Sequence, residues 1–81
     1  MDFQSSAIGA VIRSQRKKKM LSQETVSALA GIARTHLTMI ENGSKQPNLE
    51  TLWKLAQALN MRPSTLIRMV EEAMENPDRK P

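Results

Sequence analysis

The chain has 81 residues, no cysteine, only Phe3 and Trp53 as aromatics, and a formal net charge of +4. That length allows one small domain near the size where a single core barely suffices, and the absence of cysteine excludes disulfide or thiolate-metal staples. No apolar run approaches the roughly 20 residues that cross a bilayer, and the opening MDFQSSAIGA lacks the charged-then-apolar order of a signal peptide, so a cytoplasmic location without membrane attachment is expected.

The charge is unevenly placed. Residues 1–48 hold seven Lys/Arg against three Asp/Glu, whereas residues 49–81 hold five of each, so the whole excess of +4 lies in the first part. A localised basic excess is what a nucleic-acid footprint requires, and many other soluble proteins share it.

In chain order, a polar lead-in gives way to a helix with Ser5 or Ser6 as N-cap and Ile8, Val11 and Ile12 on one face, ending near residue 19. Its last turn, Arg16-Lys17-Lys18-Lys19, suits the negative end of the helix dipole and is also compatible with phosphate contact. Ser22 caps a second helix to about residue 30, carrying Val26, Leu29 and Ala30; its small Ser27 and Ala28 permit close helix approach. After Gly31 comes a third helix, residues 33–42, in which Ala33, Leu37 and Ile40 recur at helical spacing. Ala33 stands where a capping Ser, Thr or Asp belongs, so this helix has to rely on packing. Two short helices joined by a glycine-containing turn form the helix-turn-helix pattern. The outward positions of the third helix are Arg34, Thr35, His36, Thr38 and Met39. Arg and Thr suit a DNA groove, because Arg bonds a guanine edge and Thr meets base edges or a thymine methyl.

A loop from Gly43 to Asn48 follows, with Asn48 capping a fourth helix on which Leu49, Leu52, Leu55, Ala56 and Leu59 share a face. Trp53 falls beside that face as partly buried core or interface. Asn60 ends the helix in the role it shares with glycine, and Pro63 opens a fifth, where its missing N–H costs nothing. The fifth helix carries Leu66, Ile67, Met69, Val70, Ala73 and Met74, a band wider than the ~100° that covers one core. Ile67, Val70 and Met74 are therefore expected at a homodimer interface. The domain expected is residues 1–75, for DNA binding and dimerisation together, with residues 76–81 a flexible tail.

The motifs Ile12-Arg13, Arg16, Leu21-Ser22-Gln23-Glu24, Gly31-Ile32, Leu37, Ile40-Glu41-Asn42-Gly43, Pro47 and Leu52 through Leu59 stand in fixed order over residues 7–70. In them the chain resembles the Cro/repressor-like helix-turn-helix proteins of the XRE family. Within that family Arg34-Thr35-His36-Leu37-Thr38 and the small size are most similar to the controller proteins of restriction–modification systems. The resemblance implies an all-α fold, a compact five-helix repressor-like DNA-binding domain. It places Arg34, Thr35, Thr38 and Met39 at base edges, and Gln23, His36, Asn42, Ser44 and Lys45 on phosphates, with Gln23 also bracing its neighbours. It makes Arg16 and Glu41 an ion pair between the first and third helices. Met20 departs from the glycine many relatives have after the first helix, and Met39 from a polar base-reading side chain.

The function expected is a homodimeric, sequence-specific transcriptional regulator on double-stranded DNA, with a pseudo-palindromic operator and a restriction–modification operon as its setting. It would block RNA polymerase or recruit it according to where the operator lies. The alternatives are an antitoxin-type interaction module that autoregulates, or a phage-type repressor. No enzymatic role, cofactor or metal is expected, since there is no phosphate-binding glycine loop, no nucleophile with a base, and no second His or Cys beside His36.

Overall fold

The computed structural model describes residues 3–76 and contains α1 (Ser5–Lys18), α2 (Gln23–Ala30), α3 (Arg34–Glu41), α4 (Leu49–Ala58) and α5 (Pro63–Glu75), with no strand among them. Apart from Asn76, the expected tail lies outside the described residues. The core is aliphatic, as the composition requires: Val11, Ile12, Val26, Leu37, Ile40, Leu55, Ala56, Leu59 and Leu66 are fully enclosed, with Ile8, Ala30 and Val70 nearly so. Helix α1 lies against α3 and α5, and α2 against α3 and α4. The two short helices of the motif thus rest on the rest of the chain rather than on each other alone.

Local chemistry sets most of the boundaries. Ser22 and Asn48 accept from the backbone N–H groups of Thr25 and Thr51 at 3.0 and 2.8 Å, as caps do. Gly31 ends α2 at φ 70°, a left-handed conformation that costs a side-chain-bearing residue more. Asn60 takes φ 56° after α4, and Pro63 is the first residue of α5. Met20 also takes positive φ, at 58°, and is 92% exposed. The turn between α1 and α2 therefore keeps the left-handed geometry that glycine would favour.

Three expectations need correction, and one contact had no expectation behind it. The N-cap of α1 is Gln4, which makes no side-chain cap bond, so Ser5 and Ser6 lie inside the first turn. Leu29 and Leu49 share the periodicity of their helices yet are 64% and 65% exposed, because each lies at the edge of a short apolar stripe. Ala28 is exposed, and of the two only Ser27 is buried, its hydroxyl donating to the Glu24 carbonyl of its own helix. Gly9 gave no signal in the sequence, yet a Cβ placed there would lie 2.2 Å from the Ile40 carbonyl oxygen and 2.8 Å from that of Glu41. The end of α3 rests directly on the backbone of α1 at that point.

Candidate nucleic-acid interface

The exposed side of α3 begins with its weak start. Ala33 offers no side-chain cap, and no acidic residue stands in the first turn. Free N–H groups and Arg34 thus make that end electropositive, which disfavours the isolated helix but suits an anionic partner. Arg34, Thr35 and Thr38 are exposed, Met39 is 37% exposed, and His36 is half-buried. The first four form one outward row; His36 sits at its margin.

Beneath the row is a hydrogen-bonded brace. The Arg16 guanidinium donates through Nε to Glu41 Oε2 at 2.8 Å and through Nη2 to Glu41 Oε1 at 3.0 Å. Its Nη1 donates to the Leu21 carbonyl at 2.9 Å, so one side chain joins α1, the following turn and α3. The two side chains are only 11% and 4% exposed. Hydrogen bonding to Glu41 raises the Arg16 pKa above its ordinary value, while burial opposes that shift. Gln23 donates through Nε2 to Glu41 Oε1 at 3.0 Å, and its Oε1 accepts from the Thr38 hydroxyl at 2.9 Å. The expected bracing role of Gln23 is present. Its amide is turned inward to Glu41, which leaves one N–H for any phosphate.

At the far end of α3, the Asn42 side-chain oxygen accepts from the Ser44 backbone N–H at 2.9 Å and the Ser44 hydroxyl lies 2.5 Å from it. Asn42 therefore shapes the turn with its oxygen and has its amide N–H groups to spare, while Ser44 and Lys45 are exposed beside it. The basic run of α1 divides. Arg16 serves the brace, and Lys19 donates to the Leu59 carbonyl at the end of α4. Lys17 and Lys18 remain exposed. The use of Lys19 as a partner for another helix's end depends on tertiary placement and has no sequence signature.

The expected dimer residues separate. Val70 is 5% exposed, drawn into its own core with Leu66, whereas Ile67 is 43% exposed and Met74 is partly buried against the core. The correction is that most of the apolar band of α5 is used within the chain. What remains outside is a groove floored by Ile8, Leu52 and Val70 and edged by Phe3, Leu49 and Ile67. Phe3 and Leu49 are its additional exposed apolar members, at 56% and 65%. No group of three or more His, Cys, Asp or Glu able to hold a metal occurs among the described residues, and no helix there is long and apolar enough to cross a membrane.

This geometry agrees with the comparisons to known proteins. Residues 12–66 match the helix-turn-helix family HTH_3. The chain is 38% identical over 69 residues to the ImmF control region 10 kDa protein of Bacillus phage phi105, covering 80% of this chain and 77% of that one. It is 34% identical over 65 residues to the uncharacterized HTH-type transcriptional regulator y4dJ of Sinorhizobium fredii (strain NBRC 101917 / NGR234), covering 80% and 84%. Among solved structures, the restriction-modification controller protein C.AhdI from Aeromonas hydrophila superposes with TM-score 0.74 at 35% identity, covering 76% of this chain and 94% of its own. C.Esp1396I bound to a 25 base pair operator site has the same fold, with TM-score 0.82 at 22% identity over 91% of this chain and 97% of that one. With an exposed, largely polar row on a braced α3 and a family match over most of its length, the chain belongs to the HTH_3 helix-turn-helix family and is a DNA-binding transcriptional regulator.

Proposed function

We propose that the protein acts as a homodimer on a pseudo-palindromic operator, each copy setting α3 in the major groove of one half-site, with half-site centres ~34 Å apart. The observation that carries this reading is the row Arg34, Thr35, Thr38 and Met39 on the outer side of α3, held by the buried Arg16–Glu41 pair. Base contacts from that row set the sequence read. Phosphate contacts from Gln23, His36, Asn42, Ser44 and Lys45 set register. The apolar groove edged by Phe3, Leu49 and Ile67 is the surface on which the second copy sits. The similarity to C.AhdI supports control of a restriction–modification operon, and the operator complex of C.Esp1396I supports duplex DNA as the partner. Operator position relative to the promoter then decides whether RNA polymerase is blocked or recruited.

Selection of bound sites from random duplexes tests this reading, with sedimentation of the free protein. A two-fold related consensus bound by dimers is expected; an asymmetric site bound by monomers refutes the dimeric reading. Charged residues in place of Ile67 and Met74 should give monomers. A phage-type repressor is the second reading, favoured by the identity to the phage phi105 control-region protein. An adjoining endonuclease and methyltransferase pair, against adjoining phage genes, separates the two.

A further inference from the structure

The brace beneath α3 has a direction as well as a geometry. Arg16 is a donor only, and the carboxylate of Glu41 is an acceptor only. Glu41 takes two bonds from Arg16 and a third from Gln23 Nε2, at 3.0 Å. A reversed Gln23 amide would set its carbonyl oxygen against the carboxylate, so the nitrogen must face Glu41 and the oxygen must face Thr38. Thr38 Oγ1 lies 2.9 Å from that oxygen and 3.1 Å from the Arg34 carbonyl oxygen. Both neighbours accept, and a hydroxyl has one proton. The Gln23 oxygen is the nearer of the two and takes the proton, with the Arg34 carbonyl second to it, so none is left for the groove while Gln23 is in place.

We propose that the Arg16–Glu41 pair, acting through Gln23, fixes the polarity of Thr38, so that Thr38 meets DNA as an acceptor and a methyl group and not as a donor. The base pair in front of Thr38 is then chosen for a thymine methyl or for an exocyclic amine of adenine or cytosine, and not for a purine acceptor. Gln23 is a positioning residue in this scheme. The inference rests on the DNA-binding reading above.

The test begins with sites selected by the wild type and by Thr38→Ala, an exposed position where alanine suits the helix. The base pair whose preference is lost lies opposite Thr38. Analogue duplexes then change that pair one group at a time. Uracil removes the thymine methyl; purine or pyrimidin-2-one removes the amine of adenine or cytosine. A 7-deazapurine or 2-aminopurine removes a purine acceptor. Loss of the methyl or the amine should weaken wild-type binding about tenfold and leave Thr38→Ala unaffected. Thr38→Val separates the two sources, since it keeps a methyl and lacks the oxygen: wild-type-like preference identifies the methyl, alanine-like preference the amine. Gln23→Leu should relax preference at the same base pair, because Thr38 can then exchange its bond to the Arg34 carbonyl for a purine acceptor.

A wild-type loss on removing a purine acceptor, absent in Thr38→Ala, overturns the proposal. So does an unchanged consensus in Thr38→Ala. General weakening in Gln23→Leu with that preference intact overturns the role of Gln23. If the wild type selects no duplex at all, the DNA-binding reading falls as well, which distinguishes the two failures.

Discussion

Helices α3 and α4 are neighbours of similar length that begin in opposite ways. Helix α4 opens on Asn48, whose side chain accepts from the Thr51 N–H, and carries Glu50 in its first turn. Glu50 also approaches Lys54 one turn on, at 3.8 Å. Helix α3 opens on Ala33 with no side-chain cap and with Arg34 in its first turn. By the rules of helix termini α4 is well made and α3 is not. In the proposed function the difference has a reason: the start of α3 is bare and basic where a polyanion would meet it, and the stability of α3 comes from Leu37, Ile40 and Glu41, which it buries.

That contrast can be broken at four points. Glu41→Ala should have the largest effect, roughly 3–5 kcal/mol in chemical denaturation, because it strands the buried guanidinium of Arg16. A loss under about 1 kcal/mol, the worth of an exposed pair, would mean that packing alone holds α3. Arg34→Ala should cost about 1–3 kcal/mol in operator affinity by titration and relax specificity at one base pair, without lowering the melting temperature; unchanged affinity would remove Arg34 from the reading row. Asn48→Ala should destabilise by about 1 kcal/mol while leaving binding per folded molecule intact. Smallest of all, Ala33→Ser should stabilise by about 0.5–1 kcal/mol, because its hydroxyl can accept from the free N–H groups at the start of α3. An unchanged denaturation midpoint would show that they already have partners.

Much of this arrangement was legible in the chain itself. Ser22, Asn48, Asn60 and Pro63 act through their own backbone or the next turn, so their roles follow from local chemistry. The Arg16–Glu41 pair follows only from family resemblance, since nothing in the spacing of residues 25 apart points to it. Leu29 and Leu49 misled because a helix of eight or ten residues has too few turns to define the edge of its buried face. Lys19 on the Leu59 carbonyl and Thr38 on Gln23 join parts of the chain that only folding brings together. Gly9 was silent for a different reason: within a helix a glycine registers as a small loss of propensity, and the helix pressed against it leaves no trace nearby.

Gly9 has a mechanical consequence. Its missing side chain lets the carbonyl oxygens of Ile40 and Glu41 press on α1, and the next residue back, Ile8, lines the apolar groove. Helix α3 and the groove are thus bolted to the same rod, with no linker between them. In the proposed dimer, two half-sites set at the wrong spacing cannot be met by flexing the protein. The strain falls on the duplex, so affinity should track how easily the DNA between the half-sites bends and twists, at bases that no side chain touches.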